Sequence, residues 1–129
     1  MGEVDKETNI SLEDQQKINK FARLNSRLED LKEELAGKSA EITTLEDASL
    51  DLTMVEDEEE LIPFQVGEVF LSMKSDEAET QLDQRKEAIQ KESSQINVKM
   101  DEIRSVMSDL KTHLYAKFGN AINLDADDE

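Results

Sequence analysis

The chain has 129 residues and a mass of 14.7 kDa, room for one domain, and its 32 acidic against 15 basic residues give a net charge of −17. Such a charge repels phosphate backbones and anionic lipid, so nucleic acid and membrane surfaces are excluded as expected partners. There is no cysteine for disulfide or thiol chemistry, no apolar run near the ~20 residues that span a bilayer, and no signal-like N-terminus; a soluble intracellular protein is expected.

The composition points to helices. Ala, Glu, Lys, Leu and Arg supply about 44% of the chain, near the level of coiled coils. Aromatic residues are only 4%, too few for a large globular core. Leu, Ile, Val and Phe still make up about a quarter, above the roughly 20% below which charged chains are usually disordered.

A first helix is expected over residues 11–56. Ser11-Leu12-Glu13-Asp14 fits a capping box, in which each side chain satisfies a free backbone N–H of the first turn. From Phe21 apolar residues recur at alternating steps of three and four. One seam position reads Phe21, Leu28, Leu35, Ile42 and Ser49; the other reads Leu24, Leu31, Lys38, Leu45 and Leu52. This is a heptad seam rather than a broad globular stripe. The acidic run Glu56–Glu60 is read as a solvated helix exit; it lacks the alternating ligands and glycine of a calcium loop.

A short β-hairpin is expected over 61–73. Leu61, Ile62, Phe64, Val66, Val69, Phe70, Leu71 and Met73 are apolar, and Gly67 marks the turn. Pro63 has no N–H for a ladder and belongs at a strand start or an edge. Apolar residues on both faces of a two-stranded ribbon cannot be covered by one coiled coil. The hairpin is therefore expected to assemble with strands of other chains.

A second helix is expected over 75–118, opened by a box-like Asp76-x-x-Glu79. Its seam carries Leu82, Ile89, Ile96, Ile103 and Leu110, with Lys86, Ser93, Met100, Met107 and Leu114 as companions. Lys117, Gly119 and Asn120 are stop signals. Each helix is about 43 residues, or ~65 Å. The fold class is thus mainly α: a long antiparallel helical coiled-coil hairpin with a short β-hairpin between the helices. The whole of 1–129 is read as one domain, with 119–129 an acidic tail whose last residues, 125–129, are expected to be disordered. Pairing like seam positions sets Phe21 against Leu114, Leu28 against Met107, Lys38 against Ile96, Ser49 against Lys86 and Leu52 against Leu82.

No catalytic constellation is present: no phosphate loop, no nucleophile elbow and no metal-ligand spacing. His113 is read as a solvated helix residue, Met100 and Met107 as seam filler, and Gly37 as a surface position. No cofactor, metal or enzymatic activity is expected. Apolar residues continue beyond the seam: Ile10, Leu12 and Ile18 in the first helix, and Tyr115, Phe118, Ile122 and Leu124 in the second. They form either a cap on the coiled coil or an exposed binding patch.

The segments 13–23, 45–48, 62–70 and 114–124 resemble the β-type subunits of the prefoldin family, here Glu13-Asp14-Gln15-Gln16-Lys17-Ile18-Asn19-Lys20-Phe21-Ala22-Arg23, Leu45-Glu46-Asp47-Ala48, Ile62-Pro63-Phe64-Gln65-Val66-Gly67-Glu68-Val69-Phe70 and Leu114-Tyr115-Ala116-Lys117-Phe118-Gly119-Asn120 with Ile122-Asn123-Leu124. The resemblance implies a cytoplasmic hexamer of two α-type and four β-type subunits, whose hairpins form a double β-barrel and whose coiled-coil tips hold unfolded actin and tubulin for the cytosolic chaperonin without ATP. It implies Ile18, Phe21, Leu114, Tyr115, Phe118, Ile122 and Leu124 as client contacts at the tip, and the eight hairpin residues above as assembly contacts. The alternative is a structural scaffold or tether with no unfolded client.

Overall fold

In a computed structural model of the chain, residues 10–55, 60–66, 69–119 and 124 are described. Helix α1 spans Leu12–Leu52, strands β1 and β2 span Leu61–Val66 and Val69–Lys74, and helix α2 spans Ser75–Phe118. The chain divides into two compact units. A terminal unit comprises Met1–Lys32 and Val98–Glu129, and a hairpin unit comprises Glu33–Asn97.

The helix ends follow from local chemistry. Ser11 is the N-cap of α1: its Oγ accepts from the Asp14 N–H at 3.0 Å, and its carbonyl accepts from the Gln15 N–H at 2.9 Å. The other half of the expected box is not made. The Asp14 carboxylate pairs with Lys117 instead. Asp is one methylene shorter than the Glu that usually reaches back to the cap, and position 14 continues the seam one heptad before Phe21. At the far end, α1 stops at Leu52, short of the expected residue 56. The N–H groups of Thr53, Met54 and Val55 bond to the carbonyls of Leu50, Asp51 and Leu52, tightening the last turn so that its carbonyls are satisfied.

The start of α2 also differs from the reading above. The capping contact lies at Lys74–Glu77, not Asp76–Glu79: the Glu77 Oε1 accepts from the Lys74 N–H at 3.1 Å, and Lys74, whose ammonium can only donate, supplies no reciprocal acceptor. Asp76 accepts from the neighbouring Glu77 N–H at 2.8 Å. Both acids lie in the first turn, where the helix dipole favours negative charge. Gly119, with φ +59°, closes α2 in the left-handed conformation that suits glycine.

In the hairpin unit the helices run antiparallel, since Lys38 bonds Glu92 while Glu46 bonds Lys86. Its buried side chains are Leu82, Ile89, Ile96 and Ala78, the last outside the expected seam. In the terminal unit Phe21, Leu28, Leu31, Met100 and Leu114 are buried, and Met107 is half-buried.

The pairing of like seam positions is not what forms. Lys38 bonds Glu92 rather than lying beside Ile96, and a cavity of about 120 Å³ lined by Leu45, Ser49, Leu82 and Lys86 sets Ser49 by Leu82. In the terminal unit Asp14 meets Lys117. All of these alignments are several residues short of the expected one. The reason is geometric. Reading up α1 from Phe21 the seam steps by three and then four; reading down α2 from Leu114 it steps by four and then three. Layers stay level only if a step of three faces a step of three, which brings Phe21 level with Leu110 and Ile42 level with Ile89.

The strand register pairs Leu61 with Lys74, Ile62 with Met73, Pro63 with Ser72, Phe64 with Leu71, Gln65 with Phe70 and Val66 with Val69. The ladder brackets residues 67–68; these, Glu56–Glu59 of the acidic run, Ile122 and the tail 125–129 lie outside the described residues. Both strands are edges of a two-stranded sheet, so Pro63 sits on an edge as expected.

Gly37 is a helical position where an added Cβ meets nothing within 4 Å. Gly37→Ala should therefore raise stability by up to ~1 kcal/mol, through helix propensity and a less flexible unfolded chain. Gly119→Ala, at an equally open position but with positive φ, should lower it by about 1–2 kcal/mol. Opposite shifts of the denaturant midpoint for the two variants are the expected result.

Candidate assembly and binding surfaces

The strand register sets the hairpin's apolar residues in two kinds of cross-strand pair. Alternate register positions join apolar to apolar: Ile62 with Met73, Phe64 with Leu71, Val66 with Val69. The intervening positions are mixed: Leu61 with Lys74, Pro63 with Ser72, Gln65 with Phe70. Alternate positions share a face in a pleated strand, so the period-two pattern appears only once the register is known. Ile62, Phe64 and Met73 are half-buried, and Leu61 is 60% exposed. Leu50 and Met54, at and just beyond the end of α1, are also exposed. The hairpin unit thus keeps apolar surface in water on its strands and beside them.

Along its helices the same unit is polar and paired. Lys38, at a seam position, sends its ammonium to Glu92 at 2.8 Å, as a snorkelling lysine does. Glu92 beside it raises the pKa of Lys38, and the lysine in turn holds the Glu92 carboxyl below its usual range. Arg85 donates to Glu41 at 2.8 Å, and Lys86 pairs with Glu46 at 3.0 Å.

In the terminal unit an ion pair of one buried acid and one exposed lysine joins the two helices. Asp14 is 2% exposed, and its Oδ2 lies 2.6 Å from the Lys117 ammonium. His113 is exposed but not merely solvated: its Nε2 lies 3.0 Å from the Lys17 ammonium. An ammonium that donates requires this nitrogen to be the unprotonated one. The Tyr115 hydroxyl accepts from the Leu124 N–H at 2.9 Å, which ties residue 124 back to α2.

Of the expected client contacts, Phe21 and Leu114 are 8% and 0% exposed and belong to the packed seam. Ile18, Tyr115, Phe118 and Leu124 are half-buried around them. The most available apolar side chains at this unit's helix starts and ends are Leu12, 75% exposed, and Ile10, 39% exposed. They precede the heptad pattern, and the expected set of contacts omitted them. Their signal was their place: apolar residues at a cap, where no seam partner exists. Val98 and Val106 are exposed as well. Among the described residues no group of three His, Cys, Asp or Glu is placed to hold a metal ion, and no helix is long and apolar enough to cross a membrane.

The family described as Prefoldin subunit matches residues 15–121. Prefoldin subunit 4 of Bos taurus and that of Homo sapiens are each 43% identical to this chain over 122 residues, covering 95% of it and 91% of theirs. The chain belongs to the prefoldin subunit family. The crystal structure of the prefoldin beta subunit from Thermococcus strain KS-1 has the same fold, with a TM-score of 0.73, 13% identity, and coverage of 85% of this chain and 96% of that one. As a prefoldin subunit the chain is a component of a chaperone complex, assembled with other prefoldin subunits.

The buried acid of this prefoldin subunit makes its stability depend on pH in a definite direction. The hydrogen bond from Lys117 holds the Asp14 carboxyl below its ordinary 3.8; burial opposes this, and Ser11 and the charge of Lys17 add to it. A folded-state pKa below the unfolded one stabilises above about that ordinary value and is lost as pH falls through the folded one. Glu92 acts with the same sign from an ordinary 4.5. Lys38, raised from 10.5, contributes below that value and loses its contribution only in strong alkali. Stability should therefore fall on acidification below about pH 4, and Asp14→Asn should flatten that limb while lowering stability at pH 7. Denaturant titrations at several pH values test this; an unchanged acid limb would remove Asp14 from the account.

Proposed function

We propose that this chain is a β-type subunit of a cytoplasmic, ATP-independent hexameric co-chaperone of two α-type and four β-type subunits, which captures unfolded proteins of the actin and tubulin class and passes them to the cytosolic chaperonin. The observation that carries the reading is the 43% identity to prefoldin subunit 4 over 95% of the chain. The hairpin supports it physically. A two-stranded ribbon is marginal alone, and a ladder with alternate apolar pairs and two open edges is a strand-pairing surface for sister subunits. Leu61, Ile62, Phe64, Val66, Val69, Phe70, Leu71 and Met73 are the proposed assembly residues.

Client capture falls to the apolar groups at the terminal unit. Each gains only ~1.5–3 kcal/mol if fully buried against a client. Weak contacts repeated on several subunits give avidity and still permit release. Exposed Leu12 and Ile10 make first contact, and half-buried Ile18, Tyr115, Phe118 and Leu124, with Ile122, widen the patch. Engagement of Phe21 and Leu114 requires the helices to part there.

The scaffold reading draws on a specific observation too: Phe21, Leu114 and the Asp14–Lys117 pair close the seam, as a cap would. The two readings part on variants. Phe64→Asp should abolish co-purification with the other subunits while helical circular dichroism persists, because an unpaired charge buried in a shared sheet costs several kcal/mol. Leu12→Ser with Phe118→Ser should leave assembly intact by size-exclusion chromatography and weaken suppression of aggregation of diluted, unfolded actin. Full protection with these changes made together with truncation of the other β-type ends points to the scaffold.

A further inference from the structure

We infer that the interhelical charges select a single register, because each is satisfied in the observed alignment and opposed or stranded one heptad away in either direction. The apolar seam alone does not make that choice. Sliding α2 past α1 by seven residues puts apolar layers against apolar layers again.

The charges of the hairpin unit break the degeneracy. Lys38, half-buried at a seam position, bonds Glu92. One heptad earlier on α2 stands Arg85, so a slide in that direction sets two cations against each other where Lys38 now meets a carboxylate. A slide the other way carries Glu41 from Arg85, its present partner at 2.8 Å, to Glu92, acid against acid. Lys86, paired with Glu46, would face Ser39 after the first slide and Thr53 after the second. Neither can neutralise it.

The terminal unit carries an independent instance. Asp14 is buried and meets Lys117; a slide of one heptad that sets Leu110 in the lysine's place leaves the buried carboxylate without its cation on the opposite helix. Removing one partner of such a pair is far more costly than the pair is stabilising. The same charges that keep the helix faces in water therefore decide which residues of α1 and α2 lie side by side, and with them which apolar groups stand together at the helix ends.

The chain has no cysteine, so register can be read by disulfide trapping in the full chain as purified with its co-purifying subunits. Ile42→Cys with Ile89→Cys reports the observed register; Ile42→Cys with Leu82→Cys or with Ile96→Cys reports the two slides. Each pair is oxidised in a thiol buffer, and intrachain bonds are counted by mass spectrometry. With native charges only the first pair should close efficiently. With Lys38, Glu41, Glu46, Arg85, Lys86, Glu92 and Lys117 changed to Gln and Asp14 to Asn, closure of the slid pairs should rise about tenfold relative to the native pair, the scale of several weak ion pairs acting together. Exchanging the charges (Lys38→Glu with Glu92→Lys, Glu41→Arg with Arg85→Glu) should restore the native preference, and this variant decides the matter if the uncharged one does not fold. An unaltered closure ratio in the uncharged chain, or loss of the native preference in the exchanged one, overturns the inference.

Discussion

Each helix has only a two-position seam with which to leave water, and the rest of the structure accommodates that constraint. Among the described residues the apolar side chains that become inaccessible are few: Phe21, Leu28, Leu31, Met100 and Leu114 in the terminal unit, Ala78, Leu82, Ile89 and Ile96 in the hairpin unit. With so narrow a core, the spacing between layers matters more than the identity of any one residue. A step of three must face a step of three, and this geometry limits the pairing across the helices to registers one heptad apart. Ser49 beside Leu82 shows the result of a short residue in a layer: a cavity of about 120 Å³ next to Lys86.

Charge enters the seam where apolar residues are missing. Lys38 and Lys86 would be faults in a dry core, yet each leans out to a carboxylate on the opposite helix, and its hydrocarbon stem takes the place of a smaller apolar group. Asp14 is the deeper case. It is buried, and its charge is held by Lys117 while Ser11 binds its backbone. The acidic surplus on the outer faces leaves the helices soluble without demanding a partner for every charge.

The hairpin and the helix ends are where this economy fails to hide apolar surface. The ladder sets Ile62 with Met73 and Phe64 with Leu71, and nothing in a single two-stranded sheet occupies its edges. Leu12 and Ile10 stand outside the seam beside a cap. In the function proposed above, the first surface meets sister subunits and the second meets a transient partner.

The sequence by itself determined the elements. The heptads from Phe21 and from Leu82 gave two helices, the apolar run from Leu61 gave strands, and Ser11 and Gly119 marked boundaries, because propensity, capping and periodicity act over a few residues. Segments such as Ile62-Pro63-Phe64-Gln65-Val66-Gly67 carried the family as well. What the tertiary structure decided is what depends on two distant segments meeting. The alignment of the seams, the turning of Asp14 from its cap to Lys117 and the Lys17–His113 contact all needed the backbone path. So did the division of the hairpin into apolar and mixed pairs, since one residue of slip in a ladder exchanges its faces. The helix-end residues show the limit most clearly. Phe21 and Leu12 are both apolar and nine residues apart, and only the position of the opposite helix makes one of them core and leaves the other in water.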